Sequence, residues 1–359
     1  MSAMNIGIIG TGAIAPAYME GLAHWTQDVK VIACADLNTD RAAAFAEQYG
    51  ITSMRVDNLL ASDDVEIIIN LTIPAVHAKV TMQILEAGKH AYCEKPLAIT
   101  LPDAEAVMQL AGEKNLRVGC APDTFLGSGG QTARRAIDEG RIGRPVSATA
   151  FFEGPGPDSW HPNPFFYYTE GGGPMLDMGP YYVTALVNLL GSVASVAAMT
   201  GTGFDNRVAG HEGVRGQPIP VSVTTHAAGV LGFGSGAIAT VITSFDVWQD
   251  TLPHIEIHGT KGSLSVPDPN RFDGEVKVWT PETGGWEPVA SQHRSDIQRG
   301  IGVADMAHSI RAGEPHRASG DLALHVLEIM LAFDVSAQQE QHLAIQHGVE
   351  QPAALSPNL

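Results

Sequence analysis

Gly10-Thr11-Gly12-Ala13-Ile14-Ala15 lies directly behind the apolar run of residues 6–9 and opens a helix-like segment at residues 14–22. A strand that ends on Gly10 can turn sharply into a helix, and Gly12 leaves the backbone bare beside the helix N-terminus. Ala15 is small enough for the helix to pack close on the strand. The N–H groups and positive dipole end at Gly12, Ala13 and Ile14 suit an anionic group such as a pyrophosphate. Up to about Pro122, short apolar runs alternate with helix-like segments. Residues 6–9, 29–35, 66–73, 90–93 and 117–120 read as strands buried on both faces. Residues 14–22, 40–49, 75–87 and 102–114 read as helices, with Thr39 as the N-cap of the second and Gly50 and Gly88 as stops. This alternation implies a doubly wound parallel sheet, and the glycine pattern at its first turn implies a bound dinucleotide.

Asp36 ends the second strand, 36 − 12 = 24 residues beyond Gly12. A carboxylate there accepts hydrogen bonds from both hydroxyls of an adenosine ribose and repels a 2′-phosphate. Arg41 is the only nearby group that could offset that repulsion, so NAD is expected in preference to NADP. The stretch from Asn70 to His77 passes from a strand through Pro74 into a helix, at the strand end where open α/β sheets bind ligands. Thr72 and His77 are therefore candidate cofactor contacts, with His77 equally able to occupy the first turn of its helix.

At 359 residues the chain exceeds what one core usually organises. Two domains are expected, residues 1–122 and 123–359. The 44% hydrophobic and 17% charged composition is that of a packed globular protein. A net charge of −18 disfavours nucleic acid and anionic membranes as partners. No apolar run approaches a membrane span, and the N-terminus enters its first strand without an export-like pattern. Cys34, Cys93 and Cys120 lack paired spacing and sit in or beside apolar runs. They read as reduced, buried thiols of a cytoplasmic protein.

Beyond Pro122, residues 145–153, 193–200, 221–233, 237–247, 254–266 and 275–279 read as strands, several with the alternation of a half-exposed sheet. Lys261-Gly262 supplies a hairpin turn. The long stretch 154–174, rich in Gly, Pro and aromatics, interrupts this pattern and reads as a functional loop. Trp160, Phe165, Phe166, Tyr167 and Tyr168 could form a stacking wall, with at least half of them expected to serve packing. His254, Glu256 and His258 alternate along one strand face, which is more simply a hairpin edge than a metal site. No metal is expected.

Glu94-Lys95-Pro96 follows the fourth strand-like run, and Gly171-Gly172-Gly173-Pro174-Met175-Leu176-Asp177-Met178-Gly179-Pro180-Tyr181 lies further on. With the Gly10 fingerprint, Asp36 and the segment 72–77, these motifs resemble the Gfo/Idh/MocA family of NAD(P)-dependent oxidoreductases over nearly the whole chain. The resemblance implies an N-terminal Rossmann domain and a C-terminal α/β domain with a large open, mostly antiparallel sheet. One face of that sheet would line the active site and the other would serve oligomerisation, as a homodimer or homotetramer. It also implies Asp177 as a residue that binds substrate hydroxyls. Where many members carry a histidine four positions after this aspartate, this chain has Tyr181.

Oxidising a secondary alcohol requires a group that takes the hydroxyl proton. Burial and the positive nicotinamide should lower the pKa of Lys95 from about 10.4, making it either that base or a donor that stabilises an alkoxide. Glu94 could orient it or touch the cofactor, and Pro96 stiffens the backbone that follows. Tyr181 beside a cation, or His161, would replace the missing histidine. Asp123 and Thr124, just past the last strand of the first domain, are further candidates for the substrate mouth, together with Trp160. The expected activity is hydride transfer between NAD and a secondary hydroxyl of a sugar, sugar derivative or cyclic polyol. Two alternatives stand beside it: a glycosidase that recycles NAD while eliminating a glycosidic bond, and an NAD-dependent sensor without turnover.

Overall fold

The computed structural model describes residues 3–356. They form two compact units. One runs to Leu126 and includes Ser295–Leu324; the other comprises Gly127–Arg294 and the chain from His325. The expected division after residue 122 is thus displaced, and the segment 295–324 belongs with the first unit. Asp123 shows why, since its Oδ2 accepts from the N–H groups of Gly300 (2.8 Å) and Gly302 (3.1 Å).

The helices are α1 (Ala15–Leu22), α2 (Thr39–Tyr49), α3 (Val56–Leu60), α4 (His77–Glu86), α5 (Leu101–Glu113), α6 (Ser128–Asp138), α7 (Gly173–Leu190), α8 (Ile301–Ala312) and α9 (Gly320–Gln339). In the first unit, strands β1 (Met4–Ile9), β2 (Val29–Ala35), β3 (Thr52–Ser53), β4 (Ile67–Asn70), β5 (His90–Cys93) and β6 (Val118–Cys120) form a parallel sheet of order β3-β2-β1-β4-β5-β6. This is the doubly wound order, with the chain reversing direction across the sheet between β1 and β4.

Local chemistry adjusts several expected boundaries. Asn38, not Thr39, caps α2, its Oδ1 accepting from the N–H of Arg41 at 3.0 Å. The run 66–73 stops being a strand at Asn70, whose side chain turns back on the chain. Its Oδ1 accepts from the Thr72 hydroxyl (2.6 Å) and its Nδ2 donates to the His77 carbonyl (3.0 Å). Pro74–Val76 then forms a 3-10 turn, so the helix begins at His77 instead of residue 75.

The second unit contains β7 (Pro145–Glu153), β8 (Val193–Gly201), β9 (Asn206–Val208), β10 (Pro218–Pro220), β11 (His226–Phe233), β12 (Ile238–Ser244), β13 (Ile255–Gly259), β14 (Ser263–Val266), β15 (Lys277–Trp279), β16 (Trp286–Pro288) and β17 (Leu343–Ala344). Nine of them form one sheet, antiparallel except where β7 pairs β12. Val196, Leu231, Ala239, Ala148, Ile257, Leu264 and Val278 align across seven strands as one buried row. Helix α7 packs on this side of the sheet, against β7, β11 and β12. The opposite face exposes Met199, Val230 and Ile238. The run 221–233 is a strand only from His226, while β9 and β10 make a separate small ribbon. The Lys261-Gly262 turn joins β13 to β14 as expected, with the Gly259 N–H donating to the Gly262 carbonyl at 2.8 Å.

Candidate active site

In the first unit, a cavity of about 610 Å³ opens at the ends of β1 and β4, where the strand order reverses. Gly10, Gly12, Asp36 and Thr72 line it, so four of the expected cofactor contacts come together. Gly10 has φ of +98°, and a Cβ there would sit 2.6 Å from the Leu71 carbonyl oxygen. The turn therefore accepts no other residue without strain. At Gly12 a Cβ would meet nothing within 4 Å, so the bare backbone faces open space beside the start of α1. No side chain caps that helix end. The donor-rich helix terminus and the open space above Gly12 fit the pyrophosphate of a dinucleotide. Lys79, Val80 and Gln83 line the same cavity from α4, and Val76 from the turn just before it. Their spacing of three and four residues is that of one helix face and was legible as such.

Asp36 is buried at the end of β2. It accepts from the N–H of Thr11 (2.8 Å), the Thr11 hydroxyl (3.1 Å), the N–H of Asn38 (2.8 Å) and the guanidinium of Arg41. Burial works against its charge, but Arg41 and the N–H donors prevail and hold the carboxyl below the usual range.

The Glu94-Lys95-Pro96 segment leaves the end of β5. Glu94 accepts from the Tyr18 hydroxyl (2.9 Å) and Arg299 (3.3 Å) through Oε1, and from the N–H of Lys95 (2.9 Å) through Oε2. It orients the Lys95 backbone, and these three bonds occupy its carboxylate. Arg299, distant in sequence, was not a candidate, because only folding brings the segment 295–324 into this unit. His77 is buried, its ring bonded to the carbonyls of Pro96 and Thr72. Of its two expected placements the structure shows the helical first turn, and burial leaves its ring no surface for a cofactor.

Asp123 and Thr124 are fully buried. Asp123 serves the N-terminus of α8, and burial raises its pKa against the opposing pull of Arg299 and the two glycine N–H groups. The expectation that these two residues frame a substrate mouth is corrected: neither presents surface to a ligand.

In the second unit, the glycine-rich stretch becomes helical from Gly173 and forms the first half of α7. Gly179 lets the helix pack close, since a Cβ there would press on the sulfurs of Met175 (2.8 Å) and Met330 (3.0 Å). Asp177 and Tyr181 lie four residues apart on this helix and so share a face. Asp177 is half-buried and Tyr181 buried.

His161 lies in the loop 154–172, where its Nδ1 accepts from the N–H of Asn163 at 3.0 Å. Its neutral ring therefore carries hydrogen on Nε2, which makes it a donor more readily than a base. Phe165, Tyr167 and Tyr168 join the cluster around Phe245, so three of the five loop aromatics serve packing. Trp160 and Phe166 stay exposed. Beneath the loop, buried Arg207 pairs with Asp246 (2.5 Å) and Asp158 (3.4 Å) and donates to the carbonyls of Pro155 and Phe245. His254 bonds the Tyr182 hydroxyl at 2.9 Å, and His258 bonds the Ser263 hydroxyl at 2.8 Å.

Comparison with known proteins follows the same division. The oxidoreductase family with an NAD-binding Rossmann fold matches residues 4–121, and the GFO/IDH/MocA C-terminal domain matches residues 131–265. A 1,5-anhydro-D-fructose reductase of Ensifer adhaerens is 31% identical over 268 residues, covering 72% of this chain and 74% of its own. A levoglucosan dehydrogenase of Pseudarthrobacter phenanthrenivorans is 27% identical over 295 residues, 74% of this chain and 73% of its own. In fold, an NAD binding oxidoreductase from Klebsiella pneumoniae superposes with a TM-score of 0.83 at 21% identity, over 96% of this chain and 100% of that one. A levoglucosan dehydrogenase in complex with NADH and levoglucosan gives 0.82 at 22%, over 96% and 100%.

Proposed function

Because this chain belongs to the GFO/IDH/MocA family of oxidoreductases, with an NAD-binding Rossmann domain, we propose that it oxidises or reduces a secondary hydroxyl carbon of a sugar, sugar derivative or cyclic polyol. The observation that carries this reading is the cavity at the β1–β4 reversal, where bare Gly12 backbone and buried Asp36 meet. Relatives named for anhydrofructose, levoglucosan and inositol support the substrate class.

Gly10, Gly12, Ala13 and Ile14 would hold the pyrophosphate, Asp36 the adenosine ribose, and Thr72 the segment between the two. NAD when bound supplies the hydride acceptor. Lys95 is the group we assign to the hydroxyl proton: Glu94 fixes its backbone N–H, and the positive charge of a nicotinamide would favour its neutral form. Asp177 and Tyr181, one turn apart on α7, are assigned to substrate hydroxyls, with Tyr181 in place of the family's usual histidine. Trp160, exposed in the loop beside His161, offers an apolar face to a sugar ring, and His161 a donor at Nε2.

We further propose that the chain assembles as a homodimer or homotetramer through the sheet face bearing Met199, Val230 and Ile238. Three buried free cysteines favour a reducing compartment, which for this protein we take to be the cytoplasm. No helix among the described residues is long and apolar enough to cross a membrane.

The test is NADH absorbance with purified protein, NAD and a panel of monosaccharides, anhydrosugars, inositols and glycosides, repeated with NADP. A saturable signal with a free sugar or polyol is expected. Glycoside cleavage without NADH accumulation would instead identify the elimination chemistry of an NAD-recycling glycosidase. NAD binding with no turnover on any compound would leave the sensor.

A further inference from the structure

His77 is 1% exposed, and both of its ring nitrogens face carbonyl oxygens: Nδ1 lies 2.7 Å from that of Pro96 and Nε2 3.0 Å from that of Thr72. A carbonyl oxygen can only accept. Neutral imidazole has a single N–H and would turn a lone pair toward the second carbonyl in a place that water does not reach. Imidazolium donates to both. Its charge then needs a buried counter-ion.

Cys93, the last residue of β5, meets that need. It is wholly buried beside Asn70 and Thr81. Asn70 Nδ2 lies 3.7 Å from its sulfur but spends its two hydrogens on the His77 carbonyl and the Thr81 hydroxyl, both at 3.0 Å, and that hydroxyl, accepting there, keeps its own hydrogen to donate to the sulfur. Cys120, its register partner on β6, packs alongside, with Glu94 beyond it. Burial alone would neutralise both groups, yet each overcomes it. His77 rises to about 9, because Cys93 and the two carbonyls outweigh desolvation, and Cys93 falls to about 5 beside the Cys120 thiol and His77.

We propose that His77 and Cys93 form a buried imidazolium–thiolate pair whose two N–H groups clamp the Thr72 and Pro96 carbonyls and so position the backbone of Lys95. His77 is thereby a positioning residue, in place of the cofactor contact that was one of its two expected placements. The charge state rests on the geometry of this unit alone, while its consequence for turnover rests on the role assigned to Lys95. The two can be tested separately.

Burial raises Cys34 to about 11 and Cys120 well above the ordinary range. At neutral pH, therefore, only Cys93 can contribute to the ultraviolet thiolate band. The intact protein is expected to show one thiolate per chain, lost in Cys93→Ser and in His77→Gln. Its ¹⁵N spectrum should place both His77 ring nitrogens in the protonated range. A wild-type protein with no thiolate band, or with a neutral-tautomer pattern at His77, overturns the pair whether or not any variant folds. For the clamp, His77→Gln should lower kcat about tenfold or more while the Kd for NAD, by fluorescence titration, stays within about twofold. Weakened NAD binding at unchanged kcat would return His77 to the cofactor site and overturn the positioning role.

Discussion

Arg41 grips Asp36 through both carboxylate oxygens: its Nη2 lies 2.7 Å from Oδ1 and 2.9 Å from Oδ2, and its Nε reaches Oδ2 at 3.2 Å. The acid proposed to favour NAD is thus already paired with a cation able to favour NADP. Arg41 remains about half exposed, with Lys79 lining the same cavity. Asp36→Ala removes the proposed acceptor for the ribose hydroxyls and releases Arg41. The ratio of kcat/KM with NADP to that with NAD should rise about 10- to 100-fold, or about 1.4–2.8 kcal/mol. An unchanged ratio would take Asp36 out of cofactor selection.

The same contact links stability to acid. The folded Asp36 carboxyl titrates below its ordinary value, so its stabilisation is complete above the unfolded pKa of about 3.9 and is lost as pH falls through the lower folded one. Thermal melts of wild type and Asp36→Asn should differ most at neutral pH and converge below about pH 4. A gap independent of pH would contradict this linkage.

Lys95→Met keeps the length and apolar stem of the side chain but removes its amine. Turnover is expected to fall about 10²- to 10⁴-fold, with NAD binding retained because the cavity residues are untouched. Stopped-flow hydride transfer at wild-type rates would exclude Lys95 from proton handling.

Tyr181→Phe and His161→Asn should separate two assignments. Tyr181 shares a helix face with Asp177, so loss of its hydroxyl should lower kcat and alter the pH–rate profile. His161 already accepts the Asn163 N–H, so its replacement should raise KM and leave the profile in place. The reverse pattern would make His161 the base.

Arg207→Met leaves Asp158 and Asp246 without their common cation in a buried setting. Breaking such a pair costs about 3–5 kcal/mol, measurable by urea denaturation, and should free the loop that carries Trp160 and His161. A loss under about 1 kcal/mol would show that water replaces the guanidinium.

Much of this molecule could be read from local pattern. The apolar runs around Gly10, Asp36 and Lys95 fall where the parallel sheet places them, because strands buried on both faces advertise themselves as continuous apolar segments. Gly10 announces a turn that no side chain could occupy, and Gly12 the bare backbone beside the helix start. The Lys261-Gly262 hairpin and the alternation of the second sheet are equally local, and family membership follows from the order of these motifs.

Partners distant along the chain were decided by tertiary structure alone. Nothing near Asp123 in sequence shows that it holds Gly300 and Gly302, and nothing near Glu94 names Arg299. Those bonds exist because residues 295–324 return to the first unit, a choice made by burial over the whole chain. His77 illustrates the difference most sharply: its position at a helix start was legible, but its buried ring, its two carbonyls and its place beside Cys93 arise only when β4, β5 and α4 pack together. Local sequence dictates backbone conformation through sterics and periodicity, whereas the charge and hydrogen bonding of a buried side chain depend on whatever the fold sets against it.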